Sequence, residues 1–245
     1  MSTGIWSAAS GMVTQSTALD VASENVANAD TVGYRADRPV FRQILSQAGA
    51  ADPASRSLRY AVARSVQPDF QTGELKETGN PLDVAITDDR SFFAVRGRDG
   101  DRYTRAGKFT LGQDGTLFTP DGYAVLGSNG VPIQVPPGTN ATIDATGQVL
   151  LNGEASGQQL MVVTFPNVQG LLKEGAALLR ARPESGAPII SDSQVRVGAL
   201  EMSNADPIKG MTGLVTATRH FEMLARVIDA FSQIEHKAAT DIAKR

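Results

Sequence analysis

Cysteine is absent from the 245 residues, which excludes disulfides, thiolate nucleophiles and cysteine-based metal sites while leaving the compartment open. Histidine is almost as scarce. His220 and His236 fall on one predicted helix, too far apart to hold the same ion. No other segment offers a ligand spacing: Asp88-Asp89 and Asp99-Gly100-Asp101 sit at predicted turns, where acids serve turn chemistry, and neither completes a calcium loop. A Gly-x-Ser-x-Gly elbow, a phosphate loop and a strand-to-helix Gly-x-Gly-x-x-Gly are all missing. The expectation is a chain with no catalytic residue, no cofactor and no metal.

Long apolar runs are missing too. Stretches such as Leu160–Val163 are far too short to span a bilayer, and the N-terminus lacks a basic region followed by an apolar run and cleavage site. Any export is therefore expected to proceed without a cleaved signal. With 23 basic and 26 acidic residues the net charge is −3, which supplies no general pull toward nucleic acid or an anionic membrane. Neither is expected as a partner. A content of 41% apolar and 20% charged residues is that of an ordinary soluble globular protein.

What is present is a seven-residue repeat at both ends. From Asn204 to Arg245, Leu214, Phe221 and Ile228 form one line and Ala217, Leu224, Phe231 and Ala238 a second, making one helical seam with Glu235 interrupting the first line. Glu222, Arg226, Asp229 and Lys237 occupy the rest of the helix, so the narrow stripe needs a partner. The other end supplies one in smaller residues: Ile5, Met12, Leu19 and Val26, with Ala8 and Ala22 three positions after their neighbours. Trp6, beside Ile5, reads as packing rather than ligand stacking.

Magnitudes set when this pairing occurs. Burying Leu214, Phe221, Leu224, Ile228 and Phe231 yields at most ~1.5–3 kcal/mol each, whereas ordering the backbone costs on the order of 1–2 kcal/mol per residue. One helix cannot order itself, and a two-helix hairpin is marginal. Seams on neighbouring chains must be buried together, which predicts an assembling subunit whose termini fold on assembly.

Between the ends, Asn28–Gly33 reads as a helix stop. Residues 35–78, punctuated by Pro39, Pro53 and Pro68, read as an extended connector with a short helix near Val40–Gln47. Residues 1–34 carry Asp20, Glu24 and Asp30 and no base, while 35–69 carry six Arg against three Asp. A solvated charge split explains this, and so does an Arg-rich stretch lying along the acidic helices of neighbours. From about Pro81, short strand-type runs alternate with Asp99-Gly100, Asp114-Gly115, Asp121-Gly122, Asn129-Gly130 and Asn152-Gly153, which are hairpin signals. Ser203, Asn204 or Asp206 can cap the last helix, with Pro207 in its first turn. The expected fold is mainly β with terminal α-helices: a twisted antiparallel β domain, plus N- and C-terminal helices that pair as a coiled coil on assembly. Its divisions are an N-terminal assembly helix (1–34), a connector (35–78), the β domain (79–199) and a C-terminal assembly helix (200–245).

Three stretches resemble the flagellar hook and basal-body rod family. They are NVANADTVGYR at Asn25–Arg35; TGNPLDVAI at Thr78–Ile86 with YTRAGKF at Tyr103–Phe109 and DGYAVLG at Asp121–Gly127; and LEMSNADP at Leu200–Pro207 with RHFEMLARVI at Arg219–Ile228. The resemblance implies a structural subunit of the basal-body rod. Its terminal helices would pack in the core of a helical hetero-oligomeric tube with other flagellar rod proteins, in the periplasm, after export through the flagellar secretion channel. The short chain and the Arg-His-Phe-Glu-Met run look most like a proximal-rod member, with the distal rod as the alternative. From another class, the rival is a soluble β-domain enzyme or carbohydrate-binding module whose helical ends only complete its fold.

Overall fold

The computed structural model describes residues 3–46 and 58–243. Helix α1 (Thr3–Ala27) is followed by strands β1 (Asp37–Ser46), β2 (Leu58–Pro68), β3 (Leu75–Glu77), β4 (Val84–Ile86), β5 (Ser91–Gly97) and β6 (Gly100–Thr104). Then come β7 (Thr110–Leu111), β8 (Leu117–Phe118), β9 (Ala124–Val125), β10 (Ala141–Ile143), β11 (Gln148–Leu151) and β12 (Glu154–Gln159). The chain ends with β13 (Val162–Thr164), β14 (Leu172–Glu174), β15 (Leu178–Arg180), β16 (Ile189–Ile190), β17 (Val195–Val197), β18 (Ala199–Glu201) and helix α2 (Pro207–Ala243). These elements form two compact units. One holds α1, the β1–β2 pair and α2; the other holds residues 28–36 and 68–205.

The second unit is an open assembly of antiparallel strands with no closed barrel, centred on a sheet in the order β14-β15-β6-β5-β9-β8-β7, onto which β13 and β16 add. β5 explains the two cores. Successive side chains of a strand point to opposite faces, so Phe93 and Val95 enter one cluster with Phe109, Leu117 and Val125, while Phe92 and Ala94 enter another with Phe70, Tyr103, Val163 and Phe165. Edge-on aromatic contacts order both: Phe93–Phe109 at 5.3 Å on one side, and Tyr103–Phe165 at 4.8 Å with Phe70–Phe92 at 6.0 Å on the other. Turn chemistry behaves as its dipeptides require: Asn152 and Gly153 both take positive φ, at 52° and 89°, in the tight connection between β11 and β12. Late strands return to early ones, β17 pairing β4 and β18 pairing β3.

One expectation is overturned. The short helix expected near Val40–Gln47 is absent where described, because Asp37–Ser46 is strand β1, paired with β2. Val40, Phe41 and Ile44 are residues a pleated ribbon favours over a helix, and Pro39 is tolerated near the start of a strand in a two-stranded pair. Residues 47–57 lie outside the described part of the chain.

In the first unit α1 and α2 run antiparallel in contact. Leu224 lies beside Gly11, and Val26 lies beside Gly210. Asp206 caps α2, its Oδ1 accepting from the amides of Ile208 at 3.0 Å and Lys209 at 3.1 Å, and Pro207 starts the helix where no amide hydrogen is needed. Those hydrogen bonds, led by the Lys209 amide, hold the Asp206 carboxyl below its ordinary pKa. The two glycines of this first stretch differ in surroundings. A Cβ on Gly213 meets nothing within 4 Å, whereas one on Gly210 falls 2.5 Å from Val26 Cγ2. Gly213→Ala is expected to stabilise α2 by about 0.5–1 kcal/mol through helix propensity alone, and Gly210→Ala to lose that gain to overlap with a stiff β-branched neighbour. Thermal melts followed by helical circular dichroism separate the two variants.

Candidate functional site

No group of three or more acidic, histidine or cysteine side chains able to hold a metal occurs among the described residues. His220 and His236 are exposed on α2. Asp88 serves its turn, Oδ1 accepting from the amides of Arg90 at 2.8 Å and Ser91 at 2.7 Å. No helix among the described residues is long and apolar enough to cross a membrane. Two features remain: the helix pair and a buried ionic junction.

On α2, Leu214, Phe221, Leu224, Ile228 and Phe231 are half-buried and Ala217 is buried, while nearly all the residues between them are exposed. Glu235 and Ala238 have no described side-chain environment. On α1, Ile5, Met12, Leu19 and Val26 are half-buried, as is Ala22, while Ala8 and Val21 are the buried positions among its residues with a described side-chain environment. The structure thus brings Val26 and Leu224 to the helix contact through small residues, Gly210 and Gly11, that let the backbones approach. Heptad counting passed over Val21 and Gly11. Val21 lies across α1 from Leu19, and its signal is the β1 ribbon: α1 also packs on β1, where Asn25 exchanges two hydrogen bonds of 2.8 Å with the backbone of Asp37. Apolar side chains also line the side of α2 away from this seam, with Ile208 at 76%, Met211 at 57% and Ile234 at 62% exposure.

The junction lies in the second unit, where residues 28–36 meet 199–205. Glu201, 1% exposed, serves two arginines: its Oε2 accepts from Arg105 Nε at 2.8 Å, and its Oε1 lies 2.6 Å from Arg35 Nη1 and accepts from the Gly73 amide at 3.0 Å. Arg105 is fully engaged, its remaining nitrogens donating to the carbonyls of Ser91 and Asp88 and its guanidinium lying 5.9 Å from the centre of the Phe92 ring. Desolvation is the largest influence on Arg35 and lowers its pKa; Glu201 opposes that shift and Arg105 adds to it. Around the ions, the carbonyl of Glu201 accepts from the Gly33 amide at 2.8 Å. Asn204 staples three strands of chain, accepting from the Ala36 amide at 2.7 Å and donating to the carbonyls of Asp69 and Gln71 at 2.9 and 2.8 Å. Lys173 stands 3.8 Å over the buried Tyr34 ring and donates to the Arg35 carbonyl at 2.9 Å.

Gly33 is what lets the segment in. Its φ is +70°, and a Cβ there would lie 2.3 Å from the Ala106 nitrogen and 2.6 Å from the Arg105 carbonyl carbon, both backbone atoms. Gly33→Ala is expected to cost at least about 1–3 kcal/mol from backbone strain alone, read as a lower urea midpoint for this unit.

The junction and the helix pair use the stretches that carry sequence signatures: Gly33 and Arg35 from the first, Arg105 from the second, Glu201 and Asn204 from the third. Within the second unit the junction ties residues 28–36 and 69–73 to 199–204. Comparisons with known proteins place the same three stretches in one family. Residues 5–35 match the family described as flagella basal body rod protein, 85–151 the flagellar hook protein FlgE/F/G D1 domain, and 196–240 the flagellar basal body rod FlgEFG protein C-terminal region. The chain is 34% identical to the flagellar basal-body rod protein FlgG of Bacillus subtilis over 94% of its length and 95% of that protein's. It is 36% identical to FlgG of Agrobacterium fabrum over 90% and 92%, and 34% identical to the rod protein FlgF of Salmonella typhimurium over 89% of each. The chain belongs to the flagellar basal-body rod protein family.

Proposed function

We propose that the chain is a structural subunit of the flagellar basal-body rod that polymerises with other rod proteins through α1 and α2, which form coiled-coil contacts in the assembled shaft and transmit torque. The observation that carries this reading is the second apolar face of α2. One line of the helix is covered by α1 while Ile208, Met211 and Ile234 stay exposed, more apolar surface than a helix with a single partner hides. Association that continues from subunit to subunit without closing covers such a face. The short chain and the Arg-His-Phe-Glu-Met run support a proximal, FlgF-like position; the 36% identity to an FlgG supports the distal one. A strain lacking this protein, scored for which rod proteins still assemble, separates the two. Placement in the periplasm, after export without signal cleavage, follows from the same reading.

The competing reading, a β-domain enzyme or binding module whose helices complete its fold, makes a different forecast for the purified monomer. On the assembly reading, limited proteolysis removes α1 and α2 quickly and cuts within 37–67, leaving a resistant species built from 28–36 and 68–205. Helices as resistant as the β unit would favour the rival.

A further inference from the structure

Two methionines stand among the apolar side chains of α2 that stay in solvent. Met211 lies between Ile208 and Val215, its neighbours three and four residues along the helix surface, and Met223 lies one turn before Val227. All of these side chains are exposed, Met211 at 57% and Met223 at 54%. The other described methionines are less accessible. Met12 is half-buried on α1, Met161 packs against the core that holds Phe92 and Phe165, and Met202 is half-buried just after β18.

A thioether needs no deprotonation and no neighbouring base to react with a peroxide, so access to the sulfur decides which methionine reacts first. The sulfur lone pair attacks one peroxide oxygen. An S–O bond forms as the O–O bond breaks, and the hydroxide released takes the proton of the transferred oxygen and leaves as water. Sulfur is oxidised, hydrogen peroxide is reduced, and no other reactant is consumed. The product carries a polar sulfoxide where an apolar, adaptable side chain stood. In solvent that change is harmless; in a packed interface the new oxygen bears its desolvation cost unless it finds a donor. We propose that Met211 and Met223 form a peroxide-sensitive modification site, whose oxidation in the unassembled chain keeps it out of the rod and whose burial in the rod shields it. This rests on the reading above that neighbouring subunits cover this side of α2.

The purified full chain, exposed to hydrogen peroxide and mapped by peptide mass spectrometry over time, gives the first test. Met211 and Met223 are expected to gain oxygen at least about threefold faster than Met12, Met161 and Met202. Rates that fail to separate the two groups overturn the proposal. Cells building flagella are then treated with peroxide, and the chain in isolated basal bodies is quantified against untreated cells. Incorporation is expected to fall about twofold or more for wild type and to hold for the volume-conserving double variant Met211→Leu, Met223→Leu. No loss in wild type, or an equal loss in both, overturns the proposal. The double variant Met211→Gln, Met223→Gln keeps good helix formers while making both exposed positions permanently polar. If it is left out of the rod while peroxide spares wild type, the proposal alone falls; if it assembles normally, the covering of this side of α2 falls with it.

Discussion

Leu224→Asp is expected to abolish incorporation of the protein into the rod, with loss of swimming, while leaving the β unit folded. Leu224 is half-buried on α2, its Cδ1 3.3 Å from where a Cβ on Gly11 would stand, so the residue sits in the contact between the two helices. Removing its side chain forfeits up to ~1.5–3 kcal/mol of apolar burial. An aspartate in its place adds the cost of holding a carboxylate against an apolar seam, and no arginine, lysine or histidine occurs in residues 1–34 of α1 and its flank to compensate. If each subunit repeats the contact with its neighbours, the penalty recurs along the polymer. The two cores around β5 contain no residue of α1 or α2, so the β unit should melt at its wild-type temperature. Rod fractions probed for the variant, beside melting of the purified protein, provide the two readouts. Normal motility would count against the terminal helices as the assembly surface.

The legible and illegible parts of this chain divide along physical lines. The α2 seam was readable because its line of apolar residues recurs every seven positions, and the cap at Asp206 with Pro207 is a local signal. The hairpins were readable for the same reason, since Asp-Gly and Asn-Gly act within four residues. α1 was readable only in part. It meets α2 on one side and β1 on another, so its coverage does not follow one heptad line, and Val21 is buried where counting finds no repeat. β1 was misread because its apolar residues are diluted by Arg and Gln and interrupted by Pro39, leaving no clean alternation. The junction had no periodic signature at all: Arg105 and Glu201 pair across 96 residues, and Arg35 counted only as one of six arginines in a basic stretch. Motif resemblance marked these residues without saying that they touch.

That junction yields the second large effect. Glu201→Gln preserves shape but leaves Arg35 and Arg105 side by side, both buried and without the carboxylate they share, and breaking a buried pair in this way costs about 3–5 kcal/mol. Against a total stability of roughly 5–15 kcal/mol for a domain, such a loss should move the urea midpoint of the β unit far down with little change in slope. The two arginines are not equivalent, and this makes the assignment testable. Arg105 also holds the carbonyls of Ser91 and Asp88, so truncating it orphans two acceptors. Arg35 makes no aligned hydrogen bond, so its removal orphans little and relieves the charge imbalance. Arg35→Met combined with Glu201→Gln is therefore expected to lie closer to wild type than Glu201→Gln alone, while Arg105→Met combined with Glu201→Gln is not. A double-mutant cycle in urea measures both couplings. Additive losses in the Arg35 cycle would mean that Glu201 balances Arg105 only, and that the charge on Arg35 is answered elsewhere.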